Sequence, residues 1–410
     1  MPEEWTNWSK SLECRPDSIE KPRHRAEVQA LVRRTADRSG TLRVVGQGHS
    51  SSPLVTTADT MVSLEHMTGV ESVDQRAGEA WVRPGTSLEE MGEHLLEEDL
   101  AIHNQGDINV QQLAGAIGTG THGTGPTLGN LSSMLLGVRM INAEGQLLER
   151  HIEDNPQFIR AARVALGSLG IFTCLRIKAQ PAYRLHRQEW CTGVDECMHH
   201  LPELVQQNRN FDFYWYPRSD EVKLRTLNPP GESPRLPYAQ LLKEEEDWAP
   251  RVLSRTRMLA FDEMEYSLPA AAGPAAFMEI RDRIRKVHRR DVAWRTLYRT
   301  VASDDAMLST SYARPTVTIS LHHNAGLPYW EFFRDIQPIF RRYDGRPHWG
   351  KKHDLRGDDL SELYPRWQDF QNIRREMDPR GLFMTNYLRE LLGAKEFSPD
   401  QVGDTGLEAR

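Results

Sequence analysis

In residues 24–37, HRAEVQALVRRTAD, the apolar positions Val28, Leu31 and Val32 fall on one side of a 3.6-residue period, which predicts an amphipathic helix. The polar DRSG should end it and lead into the strand TLRVV. Strand-like runs follow at TMVSLEHM and ESVDQRAGEAWVRPG, the second closed by the Pro84-Gly85 turn signal. The next helix, TSLEEMGEHLLEEDL, opens with Ser87 as N-cap and Glu90 three residues later, a capping box. MLLGVRMINAEGQLLER then reads as a hairpin about Ala143-Glu144-Gly145. NPQFIRAARVALGSLG reads as a helix that stops on glycine before the strand IFTCLRIKA.

Beyond residue 205 the pattern changes to aromatic strands, FDFYWYP and EVKLRTL, and then to an acidic Pro-Gly-rich excursion from Pro229 to Pro250, expected to be a lid or insertion. PTVTISLHH is a further strand, and LYPRWQDFQNIRREMDPRGLF a helix closed by Pro379 and Gly381. Mixed helix and strand over 410 residues exceeds one ordinary core and fits two domains.

The formal charge of −7 is too mild to forecast a nucleic-acid partner. The densest basic run, IRDRIRKVHRR, reads as a solvated helix face broken by Asp282. Four cysteines, Cys14, Cys174, Cys191 and Cys197, form neither a disulfide framework nor a C-x-x-C pair. The acidic N-terminus, MPEEWTNWSKSLECRP, has no apolar run, so neither a signal peptide nor a membrane span is expected and the cytoplasm is the expected compartment.

Two glycine-rich stretches carry the chemistry. RVVGQGHSSSP runs from a strand end into a turn holding Gly46, Gly48, His49 and three serines. NQGDINVQQLAGAIGTGTHGTGPTLGN contains G-x-G-x-x-G at Gly118, Gly120 and Gly123, with Glu144 about twenty residues on, the pattern of a dinucleotide fingerprint. A fingerprint must open a helix, and TGPTLGN after Gly123 cannot. The stretch is expected to be an extended loop whose backbone N–H groups and threonine hydroxyls line a diphosphate. Two such loops imply one long cofactor.

VVGQGHSS, LAGAIGTGTHGTG, GSLGIFT, MEYSLP, YRTVASDDAMLSTSYAR and RPHWGKKH, in this order, resemble the aldonolactone and alditol oxidases of the vanillyl-alcohol-oxidase type of flavoprotein. The resemblance implies an α+β fold. A two-subdomain FAD-binding domain (PCMH type) would span residues 1–180 and be completed by 352–410; a substrate-binding domain on an antiparallel sheet would span 181–351. It implies FAD held by Gly46, Gln47, Gly48, His49, Ser50 and Ser51, by Gly106 and Asp107, by Gly115, Gly118, Thr119, Thr121, His122, Gly123 and Gly125, and by Gly170 and Ile171. His49 takes the position that many members bond covalently to the flavin; a hydrogen bond is the other reading.

By the same resemblance Arg299 and Lys351 match the active-site arginine and lysine, fixed cations for charge that develops in the transition state. Glu265 is either a third catalytic group or the structural partner of an arginine. Two positions depart from the family. Leu297-Tyr298-Arg299 stands where Glu-x-Arg is usual, and Ser320 where alditol oxidases carry histidine. His322 and His323 point to opposite faces of that strand, so His322 and Ser320 are the candidates on the substrate side. The expected substrate is a polyol or sugar lactone; the resemblance also implies that Gly106 in NQGD lies beside the flavin edge, where it has no side chain to block O2, so O2 is the expected electron acceptor, although a tight turn would also explain this glycine. A dehydrogenase on a less polar alcohol, or a noncatalytic sugar binder, remains open. No metal is expected: His199-His200 and His322-His323 are adjacent pairs without ligand spacing. GHSSS lacks the G-x-S-x-G elbow of a serine hydrolase.

Overall fold

The computed structural model describes residues 4–254 and 259–394. The helix Arg25–Asp37 buries Val28, Leu31 and Val32 as the period requires, and links Ser18–Glu20 to Leu42–Val45 in a three-stranded parallel sheet with Thr60–Ser63 at its centre. A five-stranded antiparallel sheet follows, containing the hairpin Leu135–Ile141 and Leu147–His151 and the strand Ile171–Lys178. The helix Leu88–Glu97 carries the expected capping box of Ser87 and Glu90.

The third element is an eight-stranded antiparallel sheet whose strands all come from residues between Arg184 and Pro347. Strict alternation divides its two faces. Phe211, Phe213 and Trp215, Tyr298, Met264 and Tyr266, and Ile319 and Leu321 point to one side, where the helices Gly273–Arg283 and Trp330–Arg342 cover them; Phe213 meets Phe277 at 5.0 Å and Tyr266 stacks on Phe340 at 4.7 Å. The other side carries Asp212, Arg299, Glu263, Glu265, Ser320 and His322, and these are buried as well. A buried polar face is costly unless its groups are paired. The register shows how they are paired. Lys243, Glu189, Arg225, Asp212 and Arg299 lie opposite one another in turn across five strands, with signs alternating along the row. Cross-strand neighbours on one face are the closest partners a sheet offers: Asp212 pairs in this way with Arg225 and Arg299, while Glu189 takes Arg187 and Lys223, and Lys243 takes Glu245.

Four expectations need correction. The extended loop predicted over 104–130 contains a short helix, Leu113–Gly118, because LAGAIG holds good helix formers at Leu113, Ala114 and Ala116 before the glycines take over. The helix predicted to run through to Gly170 ends at Ala162. Leu166 and Gly167 have φ of 55° and 65°, outside the helical region, and the buried Arg43 guanidinium donates to both of their carbonyls. Half of the supposed lid, Gln240–Trp248, is the edge strand of the large sheet. In IRDRIRKVHRR, Arg281 is buried and bonded to Asp220, not solvated. No helix among the described residues is long and apolar enough to cross a membrane.

Candidate active site

One continuous cleft runs between the two smaller sheets and the polar face of the large one. Its lining includes Gly46 to Ser50, Gly106, Asp107, Gly115, Gly118, Thr119, Thr121, His122, Gly170 and Ile171, and from the large sheet and the turn after it Glu265, Arg299, His322 and Lys351. Segments distant in sequence thus come together at one place.

The loop Gly46–Ser52 is fixed from two sides. The N-terminal segment lies over it: the Trp8 amide donates to the Gly48 carbonyl at 2.9 Å, Asn7 Nδ2 to the Ser50 carbonyl at 3.0 Å, and the Trp8 ring is 5.0 Å from that of His49. Gly48, at φ 67°, takes a conformation that L side chains resist. On the other side the Ser51 amide donates to the Gly350 carbonyl at 2.7 Å and Ser52 Oγ to the Trp349 carbonyl at 2.6 Å. These bonds join the loop to the HWGK turn and so bring His49 and Lys351 to the same end of the cleft. Ser51 therefore holds two loops together and does not line the cleft.

The residues present fit FAD on two observations. A Cβ placed on Gly115 or Gly118 would meet nothing within 4 Å, so both open the cradle to a ligand. His49 Nδ1 is buried without a hydrogen-bond partner, and burial, then the Lys351 charge, push this imidazole down to about 4, so its lone pair is free at neutral pH. Gly123 and Gly125 do not line the cleft: a Cβ at Gly123 would come within 2.3 Å of the Gln105 carbonyl, and one at Gly125 within 2.7 Å of the Arg209 carbonyl. Backbone packing explains these two glycines.

Arg299 sits at the inner end of the charge row. Its Nη2 is 2.6 Å from Asp107 and its Nε 3.6 Å from Asp212. Burial alone would lower this guanidinium, but the two carboxylates hold it above its ordinary range. Asp107 also accepts from the Tyr214 hydroxyl at 2.6 Å. Across the cleft Lys351 Nζ pairs with Glu263, and burial, which would discharge it, is outweighed by Glu263 and then Glu265. Both cations remain charged at neutral pH.

Glu265 is the partner of a histidine, not of an arginine. Its Oε1 is 2.7 Å from His122 Nε2, while Ser320 Oγ donates to Oε2. Ser320 is wholly enclosed by this bond and does not reach the cleft, which overturns it as a substrate residue. The burial of Glu265 is outweighed by His122 and holds the carboxyl well below its usual range. His348, missed at the motif level although it lies in RPHWGKKH, brings a third buried ligand-type atom to within 4.8 Å of His122 and Glu265. Its Nδ1 accepts the Gly350 amide proton at 3.1 Å, and both Glu265 oxygens are bonded, one to His122 and the other to Ser320.

His322 lines the cleft, whereas His323 faces the opposite side near Tyr329 and Phe332. His322 Nδ1 is 3.0 Å from the Arg295 carbonyl, which only a protonated Nδ1 can bond; Nε2 is then the lone-pair side. Burial pushes the ring down to about 4 against the opposing pull of Glu263. Glu263 was also missed, although DEMEYS places it two residues from Glu265 and hence on the same face.

Residues 175–248 and 238–391 match the family described as D-arabinono-1,4-lactone oxidase, and residues 16–150 match an FAD-binding domain. L-gulono-1,4-lactone dehydrogenase of Mycobacterium tuberculosis is 31% identical over 95% of this chain and 99% of its own length. L-gulonolactone oxidase of Scyliorhinus torazame is 27% identical over 94% and 98%. Cholesterol oxidase from B. sterolicum superposes with a TM-score of 0.84 over 96% of this chain and 97% of that one, at 15% identity, and shares the fold.

Proposed function

Since the chain belongs to the D-arabinono-1,4-lactone oxidase family of FAD-dependent oxidoreductases, we propose that it oxidises a ring hydroxyl of a sugar lactone. The observation that carries this reading is the pair of permanently charged cations, Arg299 and Lys351, converging on the cleft that also holds His49. FAD, when bound, accepts the hydride from the carbon that bears the hydroxyl. The chain's own residues deal with the proton and the charge. His322, neutral and with its Nε2 3.5 Å from Glu263 Oε1, takes the hydroxyl proton, while Arg299 and Lys351 stabilise the developing alkoxide. Leu297 occupies the cleft wall between Tyr214 and Ser320 on the neighbouring strands and offers the substrate an apolar contact. Anaerobic mixing of the holoenzyme with a panel of aldonolactones tests the reading. Bleaching of the flavin absorbance is expected with at least one 1,4-lactone; polyols alone bleaching it would overturn the lactone assignment.

His49 carries FAD covalently, an assignment supported by its buried, unpartnered and neutral Nδ1. Wild-type protein precipitated with acid should stay yellow, and His49→Ala should release all of its flavin to the supernatant. A colourless wild-type precipitate would reduce His49 to a contact residue.

The electron acceptor is O2. Gly106 lines the cleft with a backbone outside the left-handed region, so the turn itself does not require glycine. A Cβ there would stand 3.1 Å from Thr121 Cγ2 and 3.3 Å from the His122 carbonyl, a tight fit that an alanine takes only by shifting these neighbours at the cleft wall. Gly106→Ala is expected to slow reoxidation by O2 on the order of tenfold, about 1.4 kcal/mol of barrier, with dye-dependent reoxidation unchanged. The name of the Mycobacterium tuberculosis relative favours the second reading, a dehydrogenase. Slow reoxidation of the wild type in air beside rapid reoxidation by a quinone would establish it.

A further inference from the structure

A second cavity, of about 260 Å3, shares Asp107, Tyr214 and Arg295 with the wall of the cleft. It lies over the outer half of the charge row, where Arg187, Lys223, Arg225 and Lys243 enter it against a single further carboxylate, Glu189. Two more carboxylates, Asp212 and Glu245, pair with these cations from beside the cavity. The arginines and lysines of this network are thereby matched: Arg187 and Lys223 by Glu189, Arg225 and Arg299 by Asp107 and Asp212, and Lys243 by Glu245.

Arg295 is different. It makes no ion pair among the described residues, and its Nε is buried without a hydrogen-bond partner. Its guanidinium lies over the Tyr214 ring, 4.3 Å from the centroid, a contact that does not neutralise it. Leu297, which shares the cleft wall, supplies no carboxylate. A guanidinium on the boundary of two cavities, with its charge unmatched among the described residues, is built for an anion that comes from outside the protein.

We propose that Arg295 and this cavity form an anion subsite, so that the preferred substrate is a lactone carrying a carboxylate or phosphate on its side chain. The inference rests on lactone oxidation in the cleft and names the substrate class of that site. An uncharged lactone leaves Arg295 without a partner, while a charged one satisfies it bidentately. The preference is expected to be on the order of tenfold or more in kcat/KM, the size of one hydrogen bond between charged groups.

The test compares three lactones on the wild-type holoenzyme: an aldonolactone, the matched aldarolactone with a free carboxylate, and the matched aldonolactone phosphate. The larger of the two charged-to-neutral ratios identifies the anion, and that ratio should fall toward one in Arg295→Met while Arg295→Lys retains part of it. A wild-type ratio at or below one for both anions overturns the proposal, as does a ratio that survives in Arg295→Met. If no lactone bleaches the flavin, the lactone reading fails by itself, and calorimetric titration of the holoenzyme with inorganic phosphate decides the subsite: binding lost in Arg295→Met upholds it, and no binding to the wild type overturns it.

Discussion

Replacing Lys351 by methionine is expected to lower the rate of flavin reduction at saturating substrate by 10²-fold or more, with a much smaller change in substrate dissociation. Two effects act in the same direction. The variant removes a cation that Glu263 holds protonated, so the alkoxide forming on the substrate loses fixed positive charge at the moment it develops. It also leaves Glu263 a buried carboxylate without its strongest partner, facing that same negative charge. Removing one preorganised donor of this kind costs about 2.7–4 kcal/mol of transition-state stabilisation in the best-studied sites. Because the loss appears only as charge develops, it falls on the chemical step and leaves ground-state binding largely intact. Stopped-flow bleaching under anaerobic conditions separates the two. A reduction rate within a fewfold of wild type would show that Lys351 only braces Glu263. The corresponding Arg299 variant is a poorer test, because it strips Asp107 and Asp212 of a partner in the buried row and endangers the fold.

Much of this arrangement is legible in the chain before any coordinates, because alternation with period two is a local property. DEMEYS, TLYRTV and PTVTISLHH each declare which residues share a face, and His322 falls on the cleft side as the spacing requires. Which residues then meet across strands depends on register, a long-range property set by turns and packing. The row from Lys243 to Arg299 draws on segments more than a hundred residues apart in an order, Gln240–Trp248 beside Arg184–Gly193, that the sequence does not announce. For the same reason the edge strand was taken for a lid: its charged residues read as a solvated insertion when its single neighbour is unknown. Ser320 failed as a substrate residue because its face was read correctly while Glu265, opposite it in register, claimed its hydroxyl. Gly123 and Gly125 failed because a motif match does not distinguish a glycine that admits a ligand from one that admits a backbone.

The same buried polar face makes the protein sensitive to mild acid. His322, His348 and His353 are 5%, 6% and 6% exposed, and burial pushes each of them down to about 4. In the unfolded chain each titrates near 6.5. The folded state therefore keeps these rings neutral while the unfolded chain takes up protons. Their contribution to stability is full above about pH 6.5, declines as the pH falls toward 4, and stops changing below that, where both states are protonated. Each ring costs about 1.4 kcal/mol per pH unit inside this window, so three together remove on the order of 6 kcal/mol by pH 5, as much as the whole stability of many domains. The carboxylates act lower down: Glu263 and Glu265, both held below their usual range, lose their stabilising contribution only as the pH drops below about 4.5. Urea midpoints of the holoenzyme are accordingly expected to fall between pH 7 and pH 5, while Asp304, which burial pushes up to about 6, takes up a proton in the folded state over the same range and offsets one of the three rings. His353 isolates the cause, since both of its ring nitrogens are buried without a hydrogen-bond partner and it does not line the cleft. Its burial, with Arg356 and His348 adding repulsion, outweighs the opposing pull of Asp354 and the Leu355 backbone. His353→Leu should be neutral or stabilising at pH 7.5 and should reduce the pH dependence by about one proton's worth, 1.4 kcal/mol per unit. A midpoint that stays level from pH 7 to pH 5.5 in the wild type would mean that these histidines reach solvent or a proton partner in the folded protein.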